Sequence, residues 1–264
     1  MTCCLILAAG EGSRLRPLTN DRPKGLVSLL GKPLVSRQID ILRASGVEDI
    51  AIATGYKAEK FDAFGCPTYH NAFFNSTNMV ESLFAARPFL EQAQDDLLIS
   101  YGDILYERNN LETVLQTHGD IVVMVDDGWL DLWSARNEDP LKDAETLKYD
   151  ANGHILELGK KAQSLNHIEG QYTGLIKIAH NKIDDFISFY DQLDQAAQYD
   201  GRSFKQMYMT SLLQLLIDAG WKVKPARVNH GWLEVDTVED LQLYESLSTE
   251  GKLDALWRPH EYTQ

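Results

Sequence analysis

The stretch from Leu5 to Lys24, Leu-Ile-Leu-Ala-Ala-Gly-Glu-Gly-Ser-Arg-Leu-Arg-Pro-Leu-Thr-Asn-Asp-Arg-Pro-Lys, constrains this chain more than any other. Leu5 to Ala9 is a continuous run of small apolar residues without polar alternation, the pattern of a strand buried on both faces of a parallel sheet. It ends at Gly10. Gly10 and Gly12 let the backbone turn tightly and approach a ligand, and Arg14, Arg16, Arg22 and Lys24 put positive charge on the same loop. This is the outline of a polyphosphate site, although strand-glycine-helix turns occur in most α/β domains and Gly-x-Gly alone identifies nothing. The dinucleotide fingerprint requires a third glycine where this chain has Leu15, and the Gly-Lys-Ser/Thr ending of a P-loop is absent.

Charge follows the same division. The 264-residue chain carries a formal net charge of -14, yet residues 1–40 hold six Lys/Arg against three Asp/Glu, a local +3 that leaves -17 for the remainder. Positive charge is concentrated where an anion would sit, and the acidic whole argues against nucleic acid or an anionic membrane surface as a partner. A small ligand is expected. Cys3, Cys4 and Cys66 are too few and too irregularly spaced for a disulfide framework or a zinc site, and read as buried thiols in a reducing compartment. No basic segment followed by a long apolar run opens the chain, and no stretch approaches about 18 apolar residues, so a soluble cytoplasmic protein is expected. The length suits one large α/β domain, read as residues 1–250 with 251–264 as a C-terminal tail.

Past the loop, Val35 to Ser45 repeats apolar residues at helical spacing, and Gly46 stands where a helix C-terminus favours glycine. Asp49 to Thr54 is a second strand, which completes a right-handed parallel βαβ unit. A short helix or turn is expected over Lys57 to Phe64, a third strand over Thr68 to Asn71, a helix from Met79 to Arg87 after the polar loop Asn75 to Asn78, and an apolar strand over Leu97 to Asp103. The second half reads as strands over Ile121 to Val125, Thr146 to Asp150, Ile155 to Leu158 and Thr173 to Ile178, with Asp150 to Gly153 as a hairpin turn. Helices follow over 181–198 and 204–219, then a strand from Trp221 to Lys224, a strand edge from Leu233 to Asp236, and a helix from Val238 to Leu247 with Thr237 as its N-cap. Together these elements predict an α/β fold, a mixed and mostly parallel sheet flanked by helices.

Gly102-Asp103 closes a strand at the end where open α/β sheets put ligand groups, although a lone Asp there also serves as a helix N-cap. Near another strand end, alternation brings Glu234 and Asp236 to one face.

The ordered run of apolar strand, Ala-Ala-Gly-x-Gly-Ser-Arg-Leu, Pro-Leu-Thr and Arg-Pro-Lys resembles the nucleotidyltransferases that join a nucleoside triphosphate to a phosphorylated small molecule and release pyrophosphate. The resemblance runs from residue 2 to about 247. The strand ending in Gly102-Asp103 resembles the first metal aspartate of that family, and Glu234-Val-Asp-Thr-x-Glu-Asp-Leu241 resembles the segment carrying the second. It implies the three-layer, Rossmann-like fold of the nucleotide-diphospho-sugar transferase type. It also implies nucleotide contacts from Leu7, Ala8, Ala9, Gly10, Gly12, Ser13, Arg14, Lys24, Asn78, Ser82 and Gly102, with Lys24, Arg14 and Asp103 in catalysis. Asp103, Asp236 and Glu234 would hold Mg²⁺, the usual remedy where several phosphate oxygens are brought together. The implied reaction is in-line attack of a substrate phosphate oxygen on the α-phosphorus, with catalysis by positioning and charge neutralisation.

Members that read uracil or thymine on a sugar phosphate carry a Gln-Pro-x-Gly-like segment ahead of the metal aspartate. This chain has Asn75-Ser-Thr-Asn-Met-Val-Glu-Ser-Leu83 there, and Gly159-Lys160 where sugar enzymes have Glu before the lysine. Asn-Met-Val-x-Ser-Leu and Gly170-Gln-Tyr-Thr-Gly-Leu-Ile-Lys177 are more similar to the small cytidylyltransferases of phosphocholine, aminoethylphosphonate and related compounds. Asn78 and Ser82 read equally as an ordinary loop and helix start. The expected partners are CTP and a small non-sugar phosphorylated acceptor, with no nucleic acid and no membrane, and with a homodimer left open. Asp126-Asp-Gly-Trp-Leu-Asp-Leu-Trp133 with Arg136 offers charge and cation-π contact to a cationic amine, or is a solvated acidic loop with two packing aromatics. Asp127, Trp133, Arg136, Lys160 and Tyr172 are therefore the acceptor candidates, with Tyr208 beside them, and His230 reads as structural. Two rivals stand: a sugar-1-phosphate uridylyl-, thymidylyl- or guanylyltransferase, and a catalytically silent nucleotide-binding regulator. Retention of Lys24, Asp103 and Asp236 speaks against the second.

Overall fold

The computed structural model describes residues 2–259. Seven strands, β1 (Thr2–Ala8), β2 (Ile50–Thr54), β3 (Thr68–His70), β4 (Asp96–Tyr101), β5 (Ile121–Asp126), β6 (Gln171–Ile178) and β7 (Val223–Val228), form one sheet in the order β7-β5-β6-β4-β1-β2-β3. All run parallel except β6, which is antiparallel to both its neighbours, β4 and β5. The continuous apolar run of β1 divides with period two: Cys4, Ile6 and Ala8 enter the core on one face of the sheet, Cys3, Leu5 and Leu7 the core on the other.

Helices α1 (Leu34–Ala44), α2 (Met79–Ala85), α3 (Arg87–Gln92), α4 (Arg108–Gln116), α5 (Trp129–Arg136), α6 (Ile183–Asp191), α7 (Met209–Asp218) and α8 (Val238–Thr249) make the outer layers. α1, α4, α5 and α8 pack their apolar residues into the first core, and α2, α3, α6 and α7 into the second. The result is the expected three-layer, mixed and mostly parallel α/β fold.

Several element boundaries differ from the sequence reading. The helix expected from Met79 to Arg87 breaks at Ala86, since Pro88 opens α3 and has no N–H to continue the ladder. The helix expected over 181–198 stops at Asp191, and downstream the Asp194 side chain accepts the Ala196 N–H at 2.8 Å in a local turn. The late strand extends to Val228 and tolerates Pro225 because β7 is an edge strand. Asp126 to Trp133 is not a loop: Asp126 ends β5, and Trp129 onward is α5. In the segment read as a tail, Leu253 and Trp257 are buried in the first core, while residues 260–264 lie outside the described residues. Cys3 and Cys4 are buried and Cys66 half-buried, all as free thiols. No helix among the described residues is long and apolar enough to cross a membrane.

Candidate active site

β1 delivers its carboxyl end, Leu7 to Gly10, to a cavity that also reaches Lys24, Phe74, Asn78, Ser82, Gly102 and Asp103. This is the edge at which open α/β sheets bind ligands. Small residues make up part of its wall: Ala8, Ala9, Gly10, Gly25 and Gly102. A Cβ on Gly102 would sit 2.8 Å from the Leu7 carbonyl oxygen, so only glycine lets β4 pass so close to β1. Gly12 holds a left-handed φ of 69°, and a Cβ there would meet the Lys24 Cβ at 2.8 Å. The Thr19 hydroxyl donates to the Gly12 carbonyl at 2.8 Å, and buried Leu15 pins the loop to the core, a burial worth about 2 kcal/mol.

Of the loop cations, Arg16 pairs with Glu11 and Arg22 with Asp21, both in exposed pairs. Arg14 and Lys24 turn instead toward Asp236. Gly12, Ser13 and Arg14 lie along the loop rather than in the cavity wall. Asn78 lines the cavity and caps α2, its Oδ1 accepting the Met79 N–H at 2.8 Å. Ser82 lines it too, and its hydroxyl oxygen accepts from Asn71 Nδ2 at 3.0 Å. Asn71, which the sequence reading passed over, also donates to Thr77 Oγ1 at 2.9 Å and so shapes the 71–78 loop that supplies Phe74 and Thr77.

The acidic centre is assembled by a short antiparallel pairing. After Gly102-Asp103 the chain enters a strand over Ile104–Tyr106, which pairs with Trp232–Glu234. The Val235 N–H then donates to the Asp103 carbonyl at 3.1 Å, which draws Asp236 alongside Asp103. Oxygens of Asp103, Glu234 and Asp236 all lie within 4.8 Å of one another. Lys24 Nζ sits between two of these carboxylates, 2.5 Å from Asp103 Oδ2 and hydrogen-bonded to Asp236, while Arg14 reaches Asp236 at 3.1 Å. Burial works against the Lys24 charge, but Asp103, Asp236 and Glu234 outweigh it and hold its pKa above the ordinary lysine value. Burial also opposes ionisation of Asp236, which Lys24, Arg14 and Arg136 overcome to keep the carboxyl below the usual range. Glu234 is pushed up by burial and by the Asp236 charge beside it.

Arg136, expected at the acceptor, is buried behind this centre. Its Nε donates to Asp240 Oδ1 at 2.9 Å, its Nη1 to Glu234 Oε2 at 3.2 Å, and it lies 3.7 Å from Asp236. Asp240 in turn accepts the Asp236 and Thr237 N–H groups, each at 2.9 Å, and closes the capping box that starts α8. The centre suits a divalent cation: three carboxylates converge, and Asp103 Oδ1 is buried without a hydrogen-bond partner.

A second cavity opens on the other side of the carboxylates. It shares Met79 and Tyr101 with the first, reaches Glu234 and Asp236, and includes Trp133, Tyr172 and Tyr208. Trp133 stacks on Trp232 at 5.7 Å and 10° between planes, and Tyr172 meets Tyr101 edge-on. The other two acceptor candidates face elsewhere. Asp127 accepts from Arg227 Nε at 2.9 Å, and Lys160 is exposed and donates to Glu157 at 2.9 Å. Asp143, Glu145, Gln171 and Thr210 line this cavity unforeseen, since nothing in a carboxylate's local sequence separates it from a solvated one.

Residues 4–169 match the family of MobA-like NTP transferase domains. The chain is 39% identical to a CTP:phosphoglutamine cytidylyltransferase of Campylobacter jejuni, over 90% of this chain and 97% of the relative. It is 36% identical to a choline-phosphate cytidylyltransferase of Streptococcus pneumoniae, over 40% of this chain and 48% of the relative. An inositol-1-phosphate CTP transferase from T. maritima shares the fold with a TM-score of 0.70 at 22% identity, covering 98% of each chain. The strand, glycine loop and lysine that open the chain, the sheet they enter and these likenesses agree: the chain belongs to the MobA-like NTP transferase domain family and is a nucleotidyltransferase.

Proposed function

We propose that the chain transfers a cytidylyl group from CTP to a small, non-sugar phosphorylated acceptor and releases pyrophosphate. The observation that carries this reading is the junction of two cavities at one acidic centre, with Lys24 held between Asp103 and Asp236. The choice of CTP is supported by 39% identity, over 90% of the chain, to a CTP-using relative.

In this reading the nucleoside lies in the first cavity, against the Leu7 to Gly10 backbone and beside Asn78, Ser82 and Gly102. Gly12, Ser13 and Arg14 lie along its phosphates. The acceptor enters the second cavity between Trp133 and Tyr172. One of its phosphoryl oxygens attacks the α-phosphorus, a P–O–P link forms, the α–β bond breaks, and the bonding electron pair leaves with pyrophosphate. An ionised phosphoryl oxygen is itself the nucleophile, so no side chain has to take a proton. Arg14 and Lys24 exchange their carboxylate partners for phosphate oxygens and neutralise the charge gathered there. Arg136 stays behind Glu234 and Asp236 and keeps both carboxylates aimed at the junction. Asp103, Asp236 and Glu234 would hold Mg²⁺, which when bound supplies further neutralisation of phosphate charge. The chain is read as a single catalytic domain that continues past residue 250 through the buried Leu253 and Trp257, working in the cytoplasm.

The test is pyrophosphate release from each of the four nucleoside triphosphates with Mg²⁺ and a panel of phosphoryl acceptors. CTP with phosphocholine, 2-aminoethylphosphonate or phosphoglutamine is expected to turn over best. A preference for UTP or dTTP with a hexose 1-phosphate would overturn the donor and acceptor assignments together, and nucleotide binding without turnover in any combination would favour a silent regulator.

A further inference from the structure

The second cavity carries two features that chemistry at the phosphates leaves unused. Asp143 and Glu145 line it, no Lys, Arg or His does, and the charges nearest Glu145, Asp143 and Asp200, are themselves negative. Trp133 lines the same cavity at 4% exposure, and its indole Nε1–H has no acceptor among the described residues. A desolvated carboxyl such as Glu145 without a counter-ion and a buried donor without an acceptor are both costly, the donor by about 1–3 kcal/mol, unless a ligand completes them.

We propose that this cavity takes the head group of an amino-acid-type acceptor, with its ammonium group on Glu145 and Asp143 and a neighbouring carboxyl or carbonyl oxygen on the Trp133 indole N–H. The proposal rests on the cytidylyltransferase reading and specifies its acceptor. An ammonium donates three hydrogen bonds, which suits a wall that offers more than one carboxylate, and the adjacent oxygen satisfies the indole. A quaternary amine keeps the charge attraction and the contact with ring faces, but has no N–H to donate to the carboxylates and no adjacent carboxyl for the indole. The backbone of Glu145 is fixed at this wall by one side chain, since Gln171 Nε2 donates to its carbonyl at 2.6 Å and Gln171 Oε1 accepts from its N–H at 3.2 Å. Burial, with Asp143 and Asp200 nearby, pushes its carboxyl up to about 7, so a bound cation restores the ionised form. Because the cavity also reaches Glu234 and Asp236, an acceptor anchored at Glu145 can present its phosphoryl group to the acidic centre.

The experiment uses the full chain, CTP and Mg²⁺, and measures acceptor KM by pyrophosphate release for phosphoglutamine, its des-amino and des-carboxy analogues, and phosphocholine. Removing the amine is expected to raise KM by about 10- to 100-fold and removing the carboxyl by about tenfold, and phosphocholine, which keeps the charge but lacks the N–H groups and the carboxyl, should be at least about tenfold poorer than phosphoglutamine. Glu145→Gln should raise KM for phosphoglutamine by at least about tenfold, leave the des-amino compound unaffected, and leave CTP KM unchanged, which reports an intact fold. Trp133→Phe should discriminate in the same way between phosphoglutamine and the des-carboxy compound. Equal KM for phosphoglutamine and its des-amino analogue in the unmodified protein would overturn the proposal, as would phosphocholine proving the best acceptor. Turnover of hexose 1-phosphates with UTP or dTTP alone would instead remove the cytidylyltransferase reading on which it rests.

Discussion

The two cavities share Met79, Tyr101 and an acidic junction, yet they are walled on opposite plans. The first is rich in small residues, Ala8, Ala9, Gly10, Gly25 and Gly102, and the carboxyl ends of β1 and β4 lie so close that a Cβ on Gly102 would meet the Leu7 oxygen at 2.8 Å. The second is made of side chains from separated segments, among them Trp133, Asp143, Glu145, Tyr172 and Trp232. Where glycines let two strands approach this closely, a larger residue cannot be added without moving strands, whereas large side chains from separated segments can be exchanged one residue at a time. That difference suits the proposed division, with the triphosphate in the first cavity and the acceptor in the second.

This division is tested most severely at the junction, where both halves meet and substitutions should cost the most. Asp103→Ala should lower kcat by about 10³-fold, and Lys24→Met by about 10²- to 10³-fold, because each removes charge that faces the phosphates during transfer. Steady-state rates with saturating CTP and acceptor check this, and near-normal turnover in Asp103→Ala would move the chemistry elsewhere.

A tenfold effect is expected on the acceptor side alone. The Glu145 pKa is pushed up to about 7 from an ordinary 4.5, by burial first and then by Asp143 and Asp200. An ammonium-bearing acceptor favours the ionised carboxylate, so acceptor affinity should rise as pH rises through about 7, an increment that Glu145→Gln abolishes. For stability the sign is opposite. Between about 4.5 and 7 the folded chain holds the Glu145 proton more tightly than the unfolded chain, so this group's contribution declines as pH rises across that window. Thermal melts of the two proteins from pH 4 to 8 should show a steeper fall in the unmodified chain.

Smaller still is the cap behind the junction. Thr237→Ala removes the hydroxyl that accepts the Asp240 N–H at 3.1 Å, at a cost of about 1 kcal/mol in stability by denaturant titration. Since Asp240 also holds Arg136 and the Asp236 N–H, a modest loss of kcat should accompany it, with little change in CTP KM. The least effect is expected from Asp127→Asn, which breaks only a surface pair with Arg227. Both KM values should stay within about twofold, and a selective rise in acceptor KM would return this residue to the acceptor pocket.

The lining of the first cavity, proposed for the nucleotide, was partly legible because its β1 end and Lys24 are close in sequence. Leu5 to Lys24 contains the strand, the turn and the lysine, and Gly102-Asp103 is recognisable as a strand end. The acceptor half was not. Asp127 and Trp133 look alike as candidates in a short acidic and aromatic segment, but that segment becomes α5 and the preceding turn, which send Asp127 toward Arg227 and Trp133 into the cavity. Arg136 could not be told from a ligand-binding arginine until Glu234, Asp236 and Asp240 were found around it. Asp143 and Glu145 had no local mark, because what separates them from surface acids is desolvation by distant residues.

The α/β layering and the phosphate-facing loop are written in the amino-acid order alone. Both follow from hydrophobic period, glycine position and charge within about twenty consecutive residues, where chain connectivity does the positioning. Folding in three dimensions was needed to set Asp103 and Asp236 on one lysine, to put Arg136 behind rather than before them, and to choose which carboxylates line the second cavity. Those outcomes depend on an antiparallel pairing between Ile104–Tyr106 and Trp232–Glu234 and on side chains brought together from far along the chain. No local pattern encodes such meetings, because their energy is realised only when the whole sheet has formed.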